Sequence, residues 1–123
     1  MNTTDLLTDI QGRLANVTAR SYYQQAPQTT TLPYIVWDIT AGDMYIDDSK
    51  RNDYTLTVDI WANNDDVATL ETLADSVAGI DLDKEIETNI TVYYNLINKL
   101  NIPTGEENLR RRQLIFTVKN YYI

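Results

Sequence analysis

The chain has 123 residues, of which 43% are hydrophobic and 23% charged, with a formal net charge of −8; these are globular proportions that exclude a disordered or collagen-like chain. With no cysteine and no histidine, it can form no disulfide, thiolate nucleophile, imidazole base or Cys/His zinc site. Ten Lys and Arg stand against 18 Asp and Glu, so a firm grip on nucleic-acid phosphates is not expected.

The length predicts a single domain over residues 1–123 that buries about two-thirds of its unfolded surface. The longest apolar run, Tyr34-Ile35-Val36-Trp37, is far below the roughly 20 residues that span a bilayer. Residues 1–10 carry Asp5 and Asp9 and no base, so no secretory signal is expected.

Residues 4–18 read as an amphipathic helix. Thr3 or Thr4 can cap it, and Leu7, Ile10, Leu14 and Val17 recur at helical spacing beside Leu6. Residues 20–33 begin as a short strand and become a polar loop. Tyr34 to Thr40 is β-branched and aromatic with apolar side chains on both faces, a strand. Residues 41–53 form a polar loop with four acids. Tyr54, Leu56, Val58 and Ile60 then alternate with Thr55, Thr57, Asp59 and Trp61, the pattern of a half-buried strand.

Asn63-Asn64-Asp65-Asp66 is a helix start signal, and Val67, Leu70, Ala74 and Val77 predict a helix over 66–78, closed by Gly79 in the left-handed conformation. Residues 86–101 fit either state, and a strand over 88–97 is favoured. Pro103 and Gly105 mark a turn. Leu114, Phe116 and Val118 alternate with polar residues and predict a strand over 111–121. Most strands follow one another without a helix between them, which implies a mainly antiparallel sheet. Two amphipathic helices can cover one face of it, giving an α+β two-layer sandwich.

No residue pattern singles out a reaction. Asp43, Asp47, Asp48 and Asp53 could bind a divalent cation, but they lack calcium-loop spacing and read better as a solvated loop. Helix capping accounts for Asn63 to Asp66. No spacing of carboxylates marks an acid–base pair and no phosphate loop accompanies them. The run Arg110-Arg111-Arg112 is the one concentrated basic feature. Its active reading is a salt-bridged subunit contact, and its bland reading a solvated strand entrance. Tyr22, Tyr23, Trp37, Trp61, Tyr93, Tyr94, Tyr121 and Tyr122 look exposed. Within the pairs Tyr93-Tyr94 and Tyr121-Tyr122, neighbours point to opposite faces, so one ring of each needs cover beyond the helices. Tyr93, Tyr94, Tyr121, Tyr122 and the three arginines are therefore candidate subunit-interface residues.

The order of these motifs carries a resemblance. The N-terminal helix precedes Tyr23-Gln24-Gln25-Ala26-Pro27, then Pro33-Tyr34-Ile35-Val36-Trp37 and Val58-Asp59-Ile60-Trp61. A helix ending in Leu73-Ala74-Asp75 follows, then Ile102-Pro103 and the segment from Arg110 to Val118. Over nearly the whole chain this resembles the tail-completion or tail-terminator proteins of long-tailed bacteriophages and prophages. The resemblance implies an α+β fold with no catalytic residue and no cofactor, assembled in the host cytoplasm into a virion. It implies a homo-oligomeric ring, usually a hexamer, that caps the head-proximal end of the tail tube, stops polymerisation and joins tail to head. Its partners would be the major tail tube protein and head–neck connector proteins, with DNA passing through unbound. The family has no interface motif to carry over residue by residue. The loop with Asp43, Asp47 and Asp48 is the candidate lining of the passage. The alternatives are a head-side neck or connector-completion protein and, in another class, a small acidic inhibitor or DNA mimic. Acids gathered at helix starts and in one loop argue against mimicry, which needs charge spread along a surface.

Overall fold

The structure, a computed structural model, describes residues 3–28, 31–44, 51–80, 84–87, 90–105 and 108–122. Helix α1 (Thr3–Val17) is followed by strands β1 (Ser21–Tyr23), β2 (Tyr34–Met44) and β3 (Arg51–Asn63). A short 3-10 turn (Asn64–Asp66) leads into helix α2 (Val67–Ala78), and β4 (Lys84–Glu87), β5 (Ile90–Ile102) and β6 (Leu109–Tyr122) complete the chain. The six strands form one sheet in the order β1-β2-β3-β6-β5-β4, antiparallel except for the parallel pair β1–β2. This is the expected α+β arrangement.

The alternation read from the sequence sets the two faces. In register, Ile35 lies beside Ile60, Trp37 beside Val58, Val58 beside Leu114, and Leu56 beside Phe116. These residues are buried beneath the helices together with Leu6, Ile10 and Leu14 of α1 and Leu70, Ala74 and Val77 of α2. Burying each large side chain stabilises the fold by roughly 1.5–3 kcal/mol. The buried line of α1 is centred on Leu6, Ile10 and Leu14, with Leu7 and Val17 packed partly against it.

Several expectations are corrected. The acidic stretch 41–53 is not all loop: Ala41–Met44 and Arg51–Asp53 are strand, with Met44 paired to Asn52 and Arg51 to Tyr121. Long neighbouring strands carry the ladder past the apolar segment, so tertiary pairing overrides side-chain polarity. Residues 90–102 are strand throughout, and a bulge between Leu96 and Asn98 breaks their alternation. That one-residue slip explains the apparent helical spacing of Tyr93, Ile97 and Leu100. Strand β4 was not foreseen because Lys84-Glu85-Ile86-Glu87 is charged, as suits a sheet edge.

Asn63 and Asp66 sit at helix starts as expected, but neither makes a side-chain capping bond. Gly79 is right-handed (φ −70°), because the chain keeps turning until Ile80 reaches the core and its N–H bonds the Val77 carbonyl. Trp37 and Tyr94, read as exposed, are each 1% exposed.

Candidate functional site

The helices cover one face of the sheet, and the described residues place no second layer over the other. That open face carries the odd-numbered residues of β3 and β6 and the even-numbered residues of β2 from Tyr34 to Thr40. At its centre the Arg111 Nε–H donates to Asp59 Oδ1 at 2.9 Å, and the Gln113 side-chain amide donates to the same oxygen at 3.1 Å. The Arg111 guanidinium lies 5.0 Å from the Trp61 ring centre, a cation–π contact. Tyr34 stacks on the other part of this cluster, its ring 6.4 Å from that of Trp61 at 22°. Asp59 and Arg111 are half-buried, so the ion pair is partly shielded from water.

Residues 24–28 strap one end of this face. Gln24 takes a positive φ of 65°, its N–H bonds the Trp37 carbonyl at 2.7 Å, and its side-chain amide reaches Asp38 at 3.2 Å. Between the strap and Tyr34, Val36, Asp59 and Trp61 lies a groove of about 340 Å³. At the sheet edge, two outward carbonyls of β1 are taken up by its own chain. The Ser21 carbonyl accepts from the Gln11 amide, and the Tyr23 carbonyl accepts from the Gln25 N–H.

The three consecutive arginines are separated by the strand pleat. Arg111 lies on the open face, whereas Arg112 reaches under α2 to Glu71. Lys99 joins this tie through Glu71 at 3.9 Å and Asp75 at 3.5 Å. Arg110 is exposed. All three line a groove of about 530 Å³ at the β5–β6 turn, floored by Val67 and Leu70. Thus Arg111 and Arg112 both answer carboxylates of their own chain. Arg112 retains a buried Nε without a partner.

The tyrosine pairs divide likewise. Tyr94 is inside the fold and cannot form a subunit surface, which corrects that candidate. Burial against α1 is the physical reason: its hydroxyl donates to Asp9 Oδ2 at 2.5 Å, Arg13 Nε donates to the same oxygen at 2.8 Å, and the Arg13 guanidinium sits 4.4 Å from the Tyr94 ring centre. Burial, and then the hydrogen bond and charge of Asp9, push the Tyr94 phenol well above its usual range. Tyr93 pairs with Lys119, Tyr121 with Arg51 and Thr91, and Tyr122 with Ile90 along the backbone; their side chains lie outside the described residues. Asp43 belongs to β2, beside its register shift, and Asp47 and Asp48 lie outside the described residues.

Sequence reasoning did not assemble the Tyr34–Trp61–Arg111–Asp59–Gln113 cluster. Its signal was present as polar and aromatic residues in antiphase to Val58, Ile60, Leu114 and Phe116. Only the register brings the three strands' members together. Such a face binds by area, ring stacking and paired charge. Among the described residues, no group of three or more Asp and Glu is placed to hold a metal.

The described residues form a small α+β domain whose sheet is covered by helices on one face and carries an aromatic, ion-paired cluster on the other. Residues 4–118 match the family of tail completion protein gp17, and the chain belongs to that family. It is a structural tail protein of the phage-type virion. No curated protein sequence matches it. A chain in the virion of a native gene transfer agent particle has a similar fold, with a TM-score of 0.64 and 15% identity, covering 88% of this chain and 84% of that one.

Proposed function

We propose that this protein completes the tail as a closed ring, a hexamer as the resemblance implies. The ring caps the head-proximal end of the tail tube, stops its polymerisation and joins tail to head. It meets the major tail tube protein on one side and head–neck connector proteins on the other. Family membership over residues 4–118 carries this reading. It has no catalytic step. Asp43 at the end of β2, with Asp47 and Asp48 after it, faces the passage, where repeated negative charge keeps DNA from adhering. Arg110, Arg111, Arg112, Tyr93, Tyr121 and Tyr122 remain candidate contacts between copies.

The test is assembly. Light scattering of the purified protein, alone and with tail tubes, should show a ring or a tube-bound cap, and phage lacking the protein should make overlong tails. A protein that never associates with itself or with tubes overturns the reading. Electron microscopy of labelled particles separates a tail-side position from a head-side neck position.

A further inference from the structure

A closed ring needs a heterologous contact, in which each copy offers two different patches. The open face is one such patch. Its centre is built of Tyr34, Trp61 and Arg111, residue types that dominate the energetics of protein contacts. Stacking and the Asp59 pair already hold them in place, so little side-chain freedom is lost on contact.

Charge indicates what this face meets. In a chain of net charge −8, the described charged residues of the open face are balanced. Arg20, one residue before Ser21, which is buried against α1, falls on the opposite face by the strand pleat, and with Arg111 and Lys119 it offsets Asp38, Asp53 and Asp59. Neither Arg20 nor Lys119 has a carboxylate partner among the described residues. The helical layer is acidic instead. Asp65, Asp66, Glu71 and Asp75 lie along the turn before α2 and on α2 itself, and the Asp75 side chain is 77% exposed. Among the described residues, Lys99 pairs with Glu71 and Asp75, and Arg112 with Glu71.

The helical layer also has an apolar recess. A groove of about 460 Å³ beside α1 is lined by Leu7, Gln11, Gly12, Tyr23 and Trp37. A Cβ on Gly12 would meet nothing within 4 Å, so the fold of this chain gives no reason for a helix-weakening glycine there.

We infer that the open sheet face of one copy seats on the helical layer of a second copy. The cations Arg20 and Lys119 meet the acids of α2 and the turn before it, and the aromatic centre covers the recess beside α1. The inference rests on the ring reading and supplies its interface.

Charge reversal tests it. The open-face variant Arg20→Glu/Lys119→Glu and the layer variant Asp65→Lys/Asp75→Lys should each raise the concentration needed for assembly at least tenfold. The four changes combined in one chain should recover most of that loss. Circular dichroism melts establish that each variant is folded. Trp61→Ala, and Gly12→Leu filling the recess, give a second route, because both sites are at least partly exposed and both variants should fold and fail to assemble. Wild-type rings with unaffected variants, or no recovery in the combination, overturn the proposal and leave the ring standing. Trp61→Ala rings of normal mass that no longer bind tubes would assign the face to the tube and also overturn it. A wild type that forms no ring, alone or on tubes, fails the ring reading first.

Discussion

The two faces of the central sheet share the same strands and the same backbone ladder, yet they are built on different terms. On the helix-covered face Leu56, Val58, Ile60, Leu114, Phe116 and Val118 have 0% exposure. One residue along each strand, Thr55, Thr57, Asp59, Trp61, Arg111 and Gln113 are half-buried or exposed. The covered face is explained by transfer of apolar area from water. The open face is not, because folding alone does not require a tryptophan, a tyrosine and an ion-paired arginine at its centre. Side chains of these types, already held in place by their own chain, suit the contact proposed above.

The sharpest break between the faces lies in their two tryptophans. Trp37 is buried, packs on Tyr23 at 4.6 Å between ring centres, and donates its indole N–H to Gln11 at 2.8 Å. Trp37→Ala should cost about 3–5 kcal/mol, the usual loss for a buried aromatic. Trp61→Ala should cost about 1 kcal/mol in the monomer, for a partly solvated cation–π and ring contact. Urea melts of the two variants decide the matter. Equal losses would mean that the open face is a second core.

The covered face was legible from sequence because period-two alternation and helical spacing act over a few residues. Leu56–Ile60 and Leu114–Val118 needed nothing distant to be read. What failed was non-local. The extension of β2 and β3 through acidic residues depends on a partner strand, and the bulge beside Ile97 resets the alternation of β5. Tyr94 looked like a surface ring because its cover, the Asp9–Arg13 pair, lies on a helix 85 residues earlier. The open-face cluster was invisible for the same reason: Trp61 and Arg111 are cross-strand partners 50 residues apart whose meeting depends on register.

Tyr94 offers the next largest effect and a test by pH. Tyr94→Phe removes a buried hydrogen bond to a charged group and should cost about 1.5–3 kcal/mol at neutral pH. The folded phenol stays protonated because its titration is raised, whereas the unfolded one loses its proton near the ordinary value of 10.0. The stability this gives is fully present below pH 10 and is lost as pH rises above it. The gap in melting temperature between wild type and Tyr94→Phe should therefore narrow above pH 10. A constant gap would show that the hydroxyl is not held as described.

The arginine run sharpens the comparison at smaller scale, because the pleat divides it. Arg112 ties the covered face to α2 through Glu71, whose side chain is 41% exposed. Screening therefore limits Arg112→Ala to about 1 kcal/mol. Arg110→Ala, at an exposed strand entrance, should change monomer stability by less than about 0.5 kcal/mol. The difference should shrink in high salt. If Arg110→Ala is the more damaging to folding, the division by pleat is wrong.

The smallest effect on folding is expected at the acids Asp43, Asp47 and Asp48. Changing Asp43, Asp47 and Asp48 to Lys exchanges three negative charges for three positive ones, which moves the net charge from −8 to −2. These are charge exchanges at acidic positions, so the melting temperature should stay within the range of surface substitutions, about 0.5 kcal/mol in stability. Function should respond differently. In a ring the exchange is repeated around one opening, where like charges focus the field. The variant should acquire DNA binding that weakens steeply with salt, the mark of phosphate contacts. Tails should still end at the correct length while DNA passage or head attachment suffers. A variant ring that binds no DNA at low salt and supports normal infection would remove these acids from the passage and leave them as solvated surface.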